Sequence, residues 1–355
     1  MLVWNINMVS LQLRTLLGHE EEISSVVVSR DGSLIASAGG EPLGRGTDNT
    51  IRLWDTASGE QLAVLEGHTS VVTDIAITPD GNTLASCSAD GTIRLWSLPD
   101  GESLMPPLTA HKALLMAVAI SPDGRWMASG AIDGTLMLWD IATGKPASAP
   151  IFAHNAGITD LAFSPDSAVL AVASEDGTIS LWNPVTAETI GPPLLRHEDV
   201  VTRLAFSPDG EILASGSRDL TIILWNWRTG TVRAQLLEGH TRRITALTFN
   251  TTGELLASGS QDATIRLWDM ATLRSLGEPI VAHSEWISDL AFAPDGTLIS
   301  GSWDSRIVEW LMSIEQWKTR ACHMANRNLT PEEWRLYMTD TPYDDTCALT
   351  TEPLN

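Results

Sequence analysis

Residues 239–269 read GHTRRITALTFNTTGELLASGSQDATIRLWD, and this stretch decides the fold because its parts recur along the chain. Six histidines from His68 to His283 are spaced 43 residues apart, and His19 precedes the first of them by 49 residues. A tryptophan follows each histidine, at steps of 42 or 43 residues, and an aspartate lies six residues before each tryptophan. A period of roughly 40–45 residues that ends in Trp-Asp indicates seven copies of one supersecondary unit.

Each copy predicts a four-stranded antiparallel sheet. In the quoted stretch, Ile244 to Phe249 is an apolar run long enough for a buried strand, and Thr251-Thr252-Gly253 provides the turn. Leu255 to Ser258 predicts the second strand, and Thr264 to Trp268 alternates apolar and polar residues as a third strand should. A more polar fourth strand is predicted for Ser275 to Ile280. One such sheet is too small to be stable alone, but stacked copies bury one another's faces.

These motifs recur in fixed order over residues 10–312 and resemble the WD-repeat β-propeller family. The resemblance implies an all-β, seven-bladed propeller, and the sequence beyond it predicts a short C-terminal helical extension. The predicted domains are an N-terminal leader at 1–9, the propeller at 10–312 and a helical segment packed on the propeller at 313–355. The first six residues fit either a surplus strand or a loosely packed leader.

In this family, a histidine, a hydroxyl residue of the second strand, the turn aspartate and the tryptophan form a hydrogen-bonded tetrad in each blade. The chemistry agrees, because a half-buried imidazole, hydroxyl, carboxylate and indole N–H each need a partner. Val172 occupies the hydroxyl position of blade four, so that tetrad is expected to be the least tightly bonded. The matching residues are His19, Ser37, Asp48, Trp54, His68, Ser86, Asp90, Trp96, His111, Ser129, Asp133, Trp139, His154, Asp176, Trp182, His197, Ser215, Asp219, Trp225, His240, Ser258, Asp262, Trp268, His283, Ser300, Asp304 and Trp310.

The composition argues against nucleic-acid and membrane partners. The net charge is −22, so no basic stripe is available to displace counterions from a phosphate backbone. The first ten residues, MLVWNINMVS, lack a signal peptide pattern, and no apolar run has the length of a membrane span. Three cysteines are too few for a disulfide framework and favour a cytoplasmic protein, with a bond between Cys322 and Cys347 left open.

Catalysis is not predicted, although seven histidine–aspartate pairs invite the question. An active site occurs once, whereas these pairs occur in every repeat, and the sequence contains no HExxH, GxSxG or Walker motif. We therefore predict no catalytic residues, no cofactor and no metal site. An alternative is an enzyme with a single site at the mouth of the central channel, for which Glu22 and Glu175 are the obvious acidic candidates. A weaker alternative is that the protein is a degenerate fragment with no selected partner.

Residues that vary among the repeats carry the functional prediction. The resemblance implies that partners dock on the top face, the narrow end near the central channel. That face is supplied by the residues three and five after each histidine and by the residue before each turn aspartate. Tryptophan and arginine are the types that dominate interface hot spots. The candidates are Val71, Leu114, Met116 and Ile132 in blades two and three, Arg218, Arg243 and Gln261 in blades five and six, and Trp286, Ser288 and Trp303 in blade seven.

The sequence thus predicts a non-catalytic protein-interaction or ligand-sensing scaffold. Its partner is a protein or peptide, for which the arginines select acidic or phosphorylated groups.

Both ends of the chain carry further predictions. Leu11 to Leu17 has the character of an outer strand, and its pairing with residues 306–311 closes the ring without an exposed edge. After Trp310, apolar residues at helical spacing and a capping box at Thr330 predict two helices docked near blade seven. Residues 321–347 resemble the segment that ends the WD-repeat regions of bacterial STAND-type signalling proteins. That resemblance implies a larger signalling protein.

Overall fold

A computed structural model describes residues 12–40, 48–109, 111–236, 239–281 and 283–312. These residues form seven antiparallel sheets, one for each repeat. The first strand of every sheet contacts the first strands of its two neighbours, so the seven first strands form a closed ring around a central channel. The all-β, seven-bladed architecture is confirmed. The predicted leader and C-terminal helices lie outside the described residues, and the domain boundaries stay predictions.

Each blade is numbered from the histidine that precedes it. Blades one and five have four strands, at Ile23–Val28, Leu34–Gly39, Ile51–Asp55 and Gln61–Leu65, and at Val201–Phe206, Leu213–Ser217, Ile222–Asn226 and Thr231–Leu236. Blade two has strands at Val72–Ile77, Thr83–Ser88 and Ile93–Ser97. Blade seven combines Ile287–Phe292, Thr297–Ser302 and Arg306–Leu311 with the N-terminal strand Gln12–Leu17.

In the other three blades the fourth strand is split into two short pieces. Blade three has strands at Leu115–Ile120, Trp126–Ala131, Thr135–Asp140, Lys145–Pro146 and Ile151–Phe152. Blade four has strands at Ile158–Phe163, Leu170–Ser174, Thr178–Asn183, Glu188–Thr189 and Leu194–Leu195. Blade six has strands at Ile244–Phe249, Leu255–Ser260, Thr264–Asp269, Arg274–Ser275 and Ile280–Val281.

The hydrophobic core lies between neighbouring blades. Leu267 of blade six, for example, packs in one buried cluster with Leu290 and Trp310 of blade seven. Burying a side chain of this kind stabilises a fold by about 1.5–3 kcal/mol. Each blade therefore obtains its core from the next one, and the ring must be closed for the first and last blades to be covered.

The N-terminal strand closes the ring as predicted. Gln12–Leu17 pairs antiparallel with Arg306–Leu311, with Leu17 opposite Arg306 and Arg14 opposite Glu309. This pairing gives blade seven its outer strand and satisfies backbone groups that an open ring would leave at an edge. Arg14 also bonds across the junction, because its Nη2 donates to the carbonyl oxygens of Thr56 and Ala57 in blade one at 3.1 and 3.3 Å.

Candidate functional site

The histidine-centred tetrads were the first candidates for chemistry, and the structure brings their members together. In blade six, His240 Nδ1 lies 3.1 Å from Asp262 Oδ2 and His240 Nε2 lies 2.8 Å from Ser258 Oγ. Trp268 Nε1 donates to the same hydroxyl at 2.9 Å. Blades one, two, five and seven repeat this arrangement.

The tetrad electrostatics favour a structural role. Burial acts to raise the pKa of Asp262, but the hydrogen bonds from His240 and Thr264 outweigh it, and the pKa lies below its usual range. The Ser258 hydroxyl is fully buried between the imidazole and the indole, so it has no open side from which a substrate could approach. Such a group links the second and third strands to the segment before the first strand, and it is not placed to act as a nucleophile.

The expectation of a weakly bonded blade four is wrong. Ser180 of the third strand supplies the hydroxyl that Val172 lacks: it lies 2.7 Å from His154 Nε2, and Trp182 Nε1 donates to it at 2.7 Å. Val172 and Ser180 are direct cross-strand partners, so the hydroxyl has moved to the opposite residue of the same pair. His154 keeps its contact with Asp176, at 3.1 Å. The sequence signal was a serine at a position that holds Arg, Met, Ile or Val in the other blades.

Blade three departs from the pattern instead. His111 Nδ1 lies 3.2 Å from Thr135 Oγ1, and Thr135 in turn donates to Asp133 Oδ1 at 2.6 Å. Among the described residues, His111 makes no direct hydrogen bond to Asp133, so Asp133 is joined to the tetrad only through the threonine. Burial lowers the pKa of His111 to about 4, against the opposing charge of Asp133, which keeps this imidazole neutral at physiological pH.

The top-face candidates of blades five to seven form what we call the arginine–tryptophan surface: Arg218, Arg243, Gln261, Trp286 and Trp303. Backbone hydrogen bonds join four of these residues in pairs: Gln261 N donates to Arg243 O at 3.1 Å, and Trp303 N donates to Trp286 O at 3.0 Å. The rings of Trp286 and Trp303 lie 4.2 Å apart, tilted by 34°. The Arg243 guanidinium carbon lies 5.4 Å from the centre of the Trp286 ring, within reach of a cation–π interaction.

The arginines of this surface form no ion pair with a carboxylate in the part of the chain that the structure describes. Arg243 is half-buried, its Nε is buried without a hydrogen-bond partner, and no ion pair forms on it within the described residues. Burial and the charges of Arg218 and Arg203 lower the pKa of Arg243. Stacking on Trp286 fixes the guanidinium while leaving its charge uncompensated, an arrangement suited to an incoming anion.

The candidates of blades two and three divide into exposed and buried residues. Leu114 and Ile132 are joined by a backbone hydrogen bond, and both side chains are more than 40% exposed. Val71 is buried, so it adds no exposed surface to the top face. Met116 is half-buried and Ser288 is buried.

The fifth position after the histidine faces the next blade. There, Ser24, Thr73, Thr159, Thr202 and Thr245 donate to backbone carbonyls of the following blade, as Thr202 does to Ile244 O at 2.7 Å. Met116 and Ser288 stand at this position in blades three and seven, and the Ser288 hydroxyl is buried without a hydrogen-bond partner among the described residues.

The comparison with known families agrees with the sevenfold repeat. The model described as "WD domain, G-beta repeat" matches residues 10–55, 59–97, 102–140, 147–183, 193–226, 231–269 and 274–310. The chain belongs to the WD-repeat family. Each of the seven matches ends in the third strand of one blade and begins before its first strand, so the N-terminal strand of blade seven falls in the first match.

Individual WD-repeat proteins match shorter stretches. Nuclear distribution protein PAC1 of Arthroderma benhamiae is 34% identical over 97 residues, which cover 27% of this chain and 21% of that protein. Eukaryotic translation initiation factor 3 subunit I is 34% identical over 89 residues in Aspergillus niger, covering 25% of this chain and 24% of that protein. The same subunit of the factor in Debaryomyces hansenii, eukaryotic translation initiation factor 3 subunit I, is 37% identical over 87 residues. That stretch covers 24% of this chain and 23% of that protein. The matched stretches span about a quarter or less of each relative.

A set of charged residues along the central channel was not predicted from the sequence. Six residues after the histidine, on the first strand, stand Asp74, Asp160, Arg203 and Asp289, where blades one, three and six have Ser25, Ala117 and Ala246. All four are half-buried. Burial raises the pKa of Asp74 to about 7 and that of Asp160 to about 6. The signal was a charged residue inside an otherwise apolar strand.

These carboxylates have structural partners in the following blade. Val118 N donates to Asp74 Oδ2 at 2.9 Å, Leu204 N to Asp160 Oδ2 at 2.6 Å, and Val26 N to Asp289 Oδ2 at 3.0 Å. Each therefore holds two first strands together. Within the described residues, no three His, Cys, Asp or Glu side chains are arranged to hold a metal ion. The described segments also contain no helix with the length and apolar character that a membrane span requires.

Proposed function

We propose that this WD-repeat protein is a non-catalytic interaction scaffold whose protein partner docks on the arginine–tryptophan surface. The stack of Arg243 on Trp286 beside Trp303 carries this proposal. Tryptophan offers a large apolar area with few rotatable bonds, and a guanidinium pairs with a carboxylate or phosphate through two hydrogen bonds.

The electrostatics point to an acidic or phosphorylated segment as the partner chemistry. The chain carries a net charge of −22, so most of its surface repels acidic groups. Arg218 and Arg243 are a local exception. Their charges influence each other, and neither arginine forms an ion pair within the described residues. An acidic segment is therefore repelled elsewhere and attracted here, which favours one orientation of the partner.

The alternative enzyme reading has less support. It requires a carboxylate or histidine that faces the channel without a structural partner. Glu22 is half-buried and Glu175 is exposed, and the three channel aspartates with raised pKa values all accept backbone hydrogen bonds from the next blade.

The cellular compartment and the larger protein to which the scaffold belongs are also proposed from the sequence. The few cysteines favour the cytoplasm, and the resemblance of residues 321–347 favours membership of a larger STAND-type signalling protein. The relatives described above are fungal proteins and add no support to the second point. The native reading frame upstream of Met1 tests it: a frame without a TIR, caspase-like, kinase or NACHT-type module makes the signalling proposal wrong.

We expect Trp303→Ala or Arg243→Ala to weaken binding of the native partner by at least about 2 kcal/mol, as truncation of a hot spot does. The partner is first recovered by affinity capture from the native host, and its affinity for each purified variant is then measured by calorimetry. Arg242→Ala is the matched control, because Arg242 adjoins Arg243 in sequence, is exposed, and makes no cation–π interaction with either tryptophan among the described residues.

A tetrad variant separates binding from folding. His240→Ala removes the contacts to Asp262 and Ser258, so it should lower stability while the folded fraction keeps its affinity. Unchanged affinity in both Trp303→Ala and Arg243→Ala, or a partner that maps to the outer strands, moves the binding site elsewhere.

A further inference from the structure

Three residues from three blades meet at the junction where the ring closes. Ser25 of blade one lies between Asp74 of blade two and Asp289 of blade seven. Its Oγ is 3.0 Å from Asp74 Oδ1 and 2.9 Å from Asp289 Oδ2, and Ser25 is fully buried. Blade four offers a comparison, because Asp160 stands at the same repeat position with only backbone hydrogen bonds.

The number of protons at this junction decides how the contacts are made. A serine hydroxyl has one hydrogen and donates it to one carboxylate, whereas the lone pairs of its oxygen accept a hydrogen. If both aspartates are ionised, one of the two short contacts brings oxygen lone pairs together. If one carboxyl is protonated, it donates to Ser25 Oγ, and Ser25 donates to the other carboxylate.

We propose that Asp74 and Asp289 share one proton through Ser25, and that this proton helps to hold blades seven, one and two together. Asp74 carries it: Asp74 Oδ1–H donates to Ser25 Oγ, and Ser25 Oγ–H donates to Asp289 Oδ2. Both oxygens that contact Ser25 also accept one backbone N–H: Asp289 Oδ2 from Val26 of the following blade at 3.0 Å, and Asp74 Oδ1 from its own chain neighbour Ile75 at 2.9 Å. Asp74 Oδ2 remains free to accept from Val118 N.

The charged groups around the junction are consistent with one retained proton. Burial is the main cause of the raised pKa of Asp74. The charges of Asp160 and Asp289 raise this pKa further, whereas the charge of Arg203 in blade five lowers it. Burial likewise raises the pKa of Asp289, with Arg203 opposing. Cys87, on the second strand of blade two, is kept neutral because burial and the charge of Asp74 raise its pKa. One arginine thus faces three channel carboxylates.

The sign of the pH dependence follows from the direction of the shift. The pKa of Asp74 rises from its usual 3.8 to about 7 in the folded protein, so between these values the folded state binds more protons than the unfolded state. The stabilising contribution of this proton is fully present below pH 3.8 and is lost as the pH rises through about 7. Ionisation loosens the junction because two carboxylates then face one hydroxyl.

Carboxyl protonation is measured directly by infrared difference spectroscopy of the full chain between pH 5.5 and 8. We expect a protonated carboxyl band that disappears as the pH rises through about 7 and that is absent in Asp74→Asn. Ser25→Ala removes two hydrogen bonds from the protonated state and one from the ionised state, so it should lower the pKa of that carboxyl by about one unit, a tenfold loss of proton affinity. Asp160→Asn is the matched control and should leave the Ser25-dependent band in place.

Equilibrium unfolding supplies a second readout. Between pH 5.5 and 8 the folded-to-unfolded ratio of the unaltered protein should fall at least tenfold relative to that of Asp74→Asn, which has no carboxyl to ionise at this position. If Asp74→Asn does not fold, the band is followed in Asp289→Asn and Ser25→Ala instead. Because Asp160, with a pKa of about 6, gives a carboxyl band of its own, the comparison is made in the Asp160→Asn background. A remaining band that titrates near pH 7 and that neither Asp74→Asn nor Asp289→Asn removes, or a pKa unchanged in Ser25→Ala, overturns the proposal.

Discussion

Replacing Arg14 by alanine is expected to lower the free energy of unfolding by about 3–5 kcal/mol, the usual cost of leaving one partner of a buried ion pair uncompensated. Glu309 is 1% exposed, and its Oε2 lies 3.5 Å from Arg14 Nη2. Its Oε1 has no hydrogen-bond partner within the described structure, so Arg14 is the principal neutralising group. The loss in Arg14→Ala is at the lower end of this range if Glu309 becomes protonated in that variant.

The position of Glu309 makes this ion pair unusual. The residue before the repeat tryptophan is leucine in the other six blades, at Leu53, Leu95, Leu138, Leu181, Leu224 and Leu267. Each of these leucines packs toward the following blade, as Leu267 does toward blade seven. Glu309 therefore places a carboxylate in the interface between the last blade and the first. Arg14, on the closing strand, reaches both that carboxylate and the carbonyls of Thr56 and Ala57.

Two further variants identify the cause of the loss. Glu309→Leu restores the residue of the other blades, so Arg14→Ala combined with Glu309→Leu should recover most of the stability lost in Arg14→Ala. Arg228→Ala is the matched control, because the Arg228–Glu211 pair lies 3.1 Å apart with both side chains exposed, and such a pair contributes about 0–1 kcal/mol. Urea denaturation of all four proteins, with the midpoint and slope compared, measures these differences.

The pH dependence distinguishes the ion pair from the carbonyl bonds of Arg14. Burial raises the pKa of Glu309 above its usual value, and Arg14 opposes that rise. The unfolded state is ionised once the pH exceeds the usual value, so the cost of Arg14→Ala should be small at acidic pH and should grow as the pH rises. A loss that is equal at pH 4 and pH 8, or that Glu309→Leu does not rescue, assigns the effect to the Thr56 and Ala57 carbonyls.

The sequence predicted features that repeat along one strand. Ile244 to Phe249 forms the predicted strand, and the predicted Thr264 to Trp268 extends by one residue in the structure. Apolar alternation and turn residues determine such elements locally, so a single sequence suffices. The fourth strand of blade six was predicted as one piece over Ser275 to Ile280, and it is split into two pairs of residues. An outer strand has only one neighbour to specify its register, which weakens the local signal.

Features that depend on a second strand or a second blade were not predictable in this way. The role of Ser180 requires the register that places it opposite Val172. The burial of Val71 and of Glu309 requires the packing of one blade on the next. The proton-sharing contact of Ser25 joins residues 49 and 264 positions away, which no local pattern brings together. The arginine–tryptophan surface was accessible to sequence reasoning because its residues occupy equivalent positions in consecutive repeats.

Replacing Ser180 by alanine is expected to be the second most costly change, because it leaves two buried groups without a partner. His154 Nε2 and Trp182 Nε1 both depend on the Ser180 hydroxyl, each at 2.7 Å. His154 is 6% exposed and Trp182 is 7% exposed, so both residues are largely buried. Each orphaned group costs about 1–3 kcal/mol. Ser215→Ala in blade five removes the equivalent hydroxyl and should cost a similar amount.

The exchange of Val172 and Ser180 provides the decisive test. Val172→Ser combined with Ser180→Val moves the hydroxyl back to the second strand, where Ser215 of blade five serves His197 and Trp225. Since the two residues are cross-strand partners, the double variant should be more stable than Ser180→Val alone by at least about 1 kcal/mol, a coupling typical of residues in contact. Urea denaturation of both single variants and the double variant completes the cycle. If the double variant shows the sum of the two single losses, the hydroxyl cannot serve blade four from the second strand, and the tetrad there depends on the third strand alone.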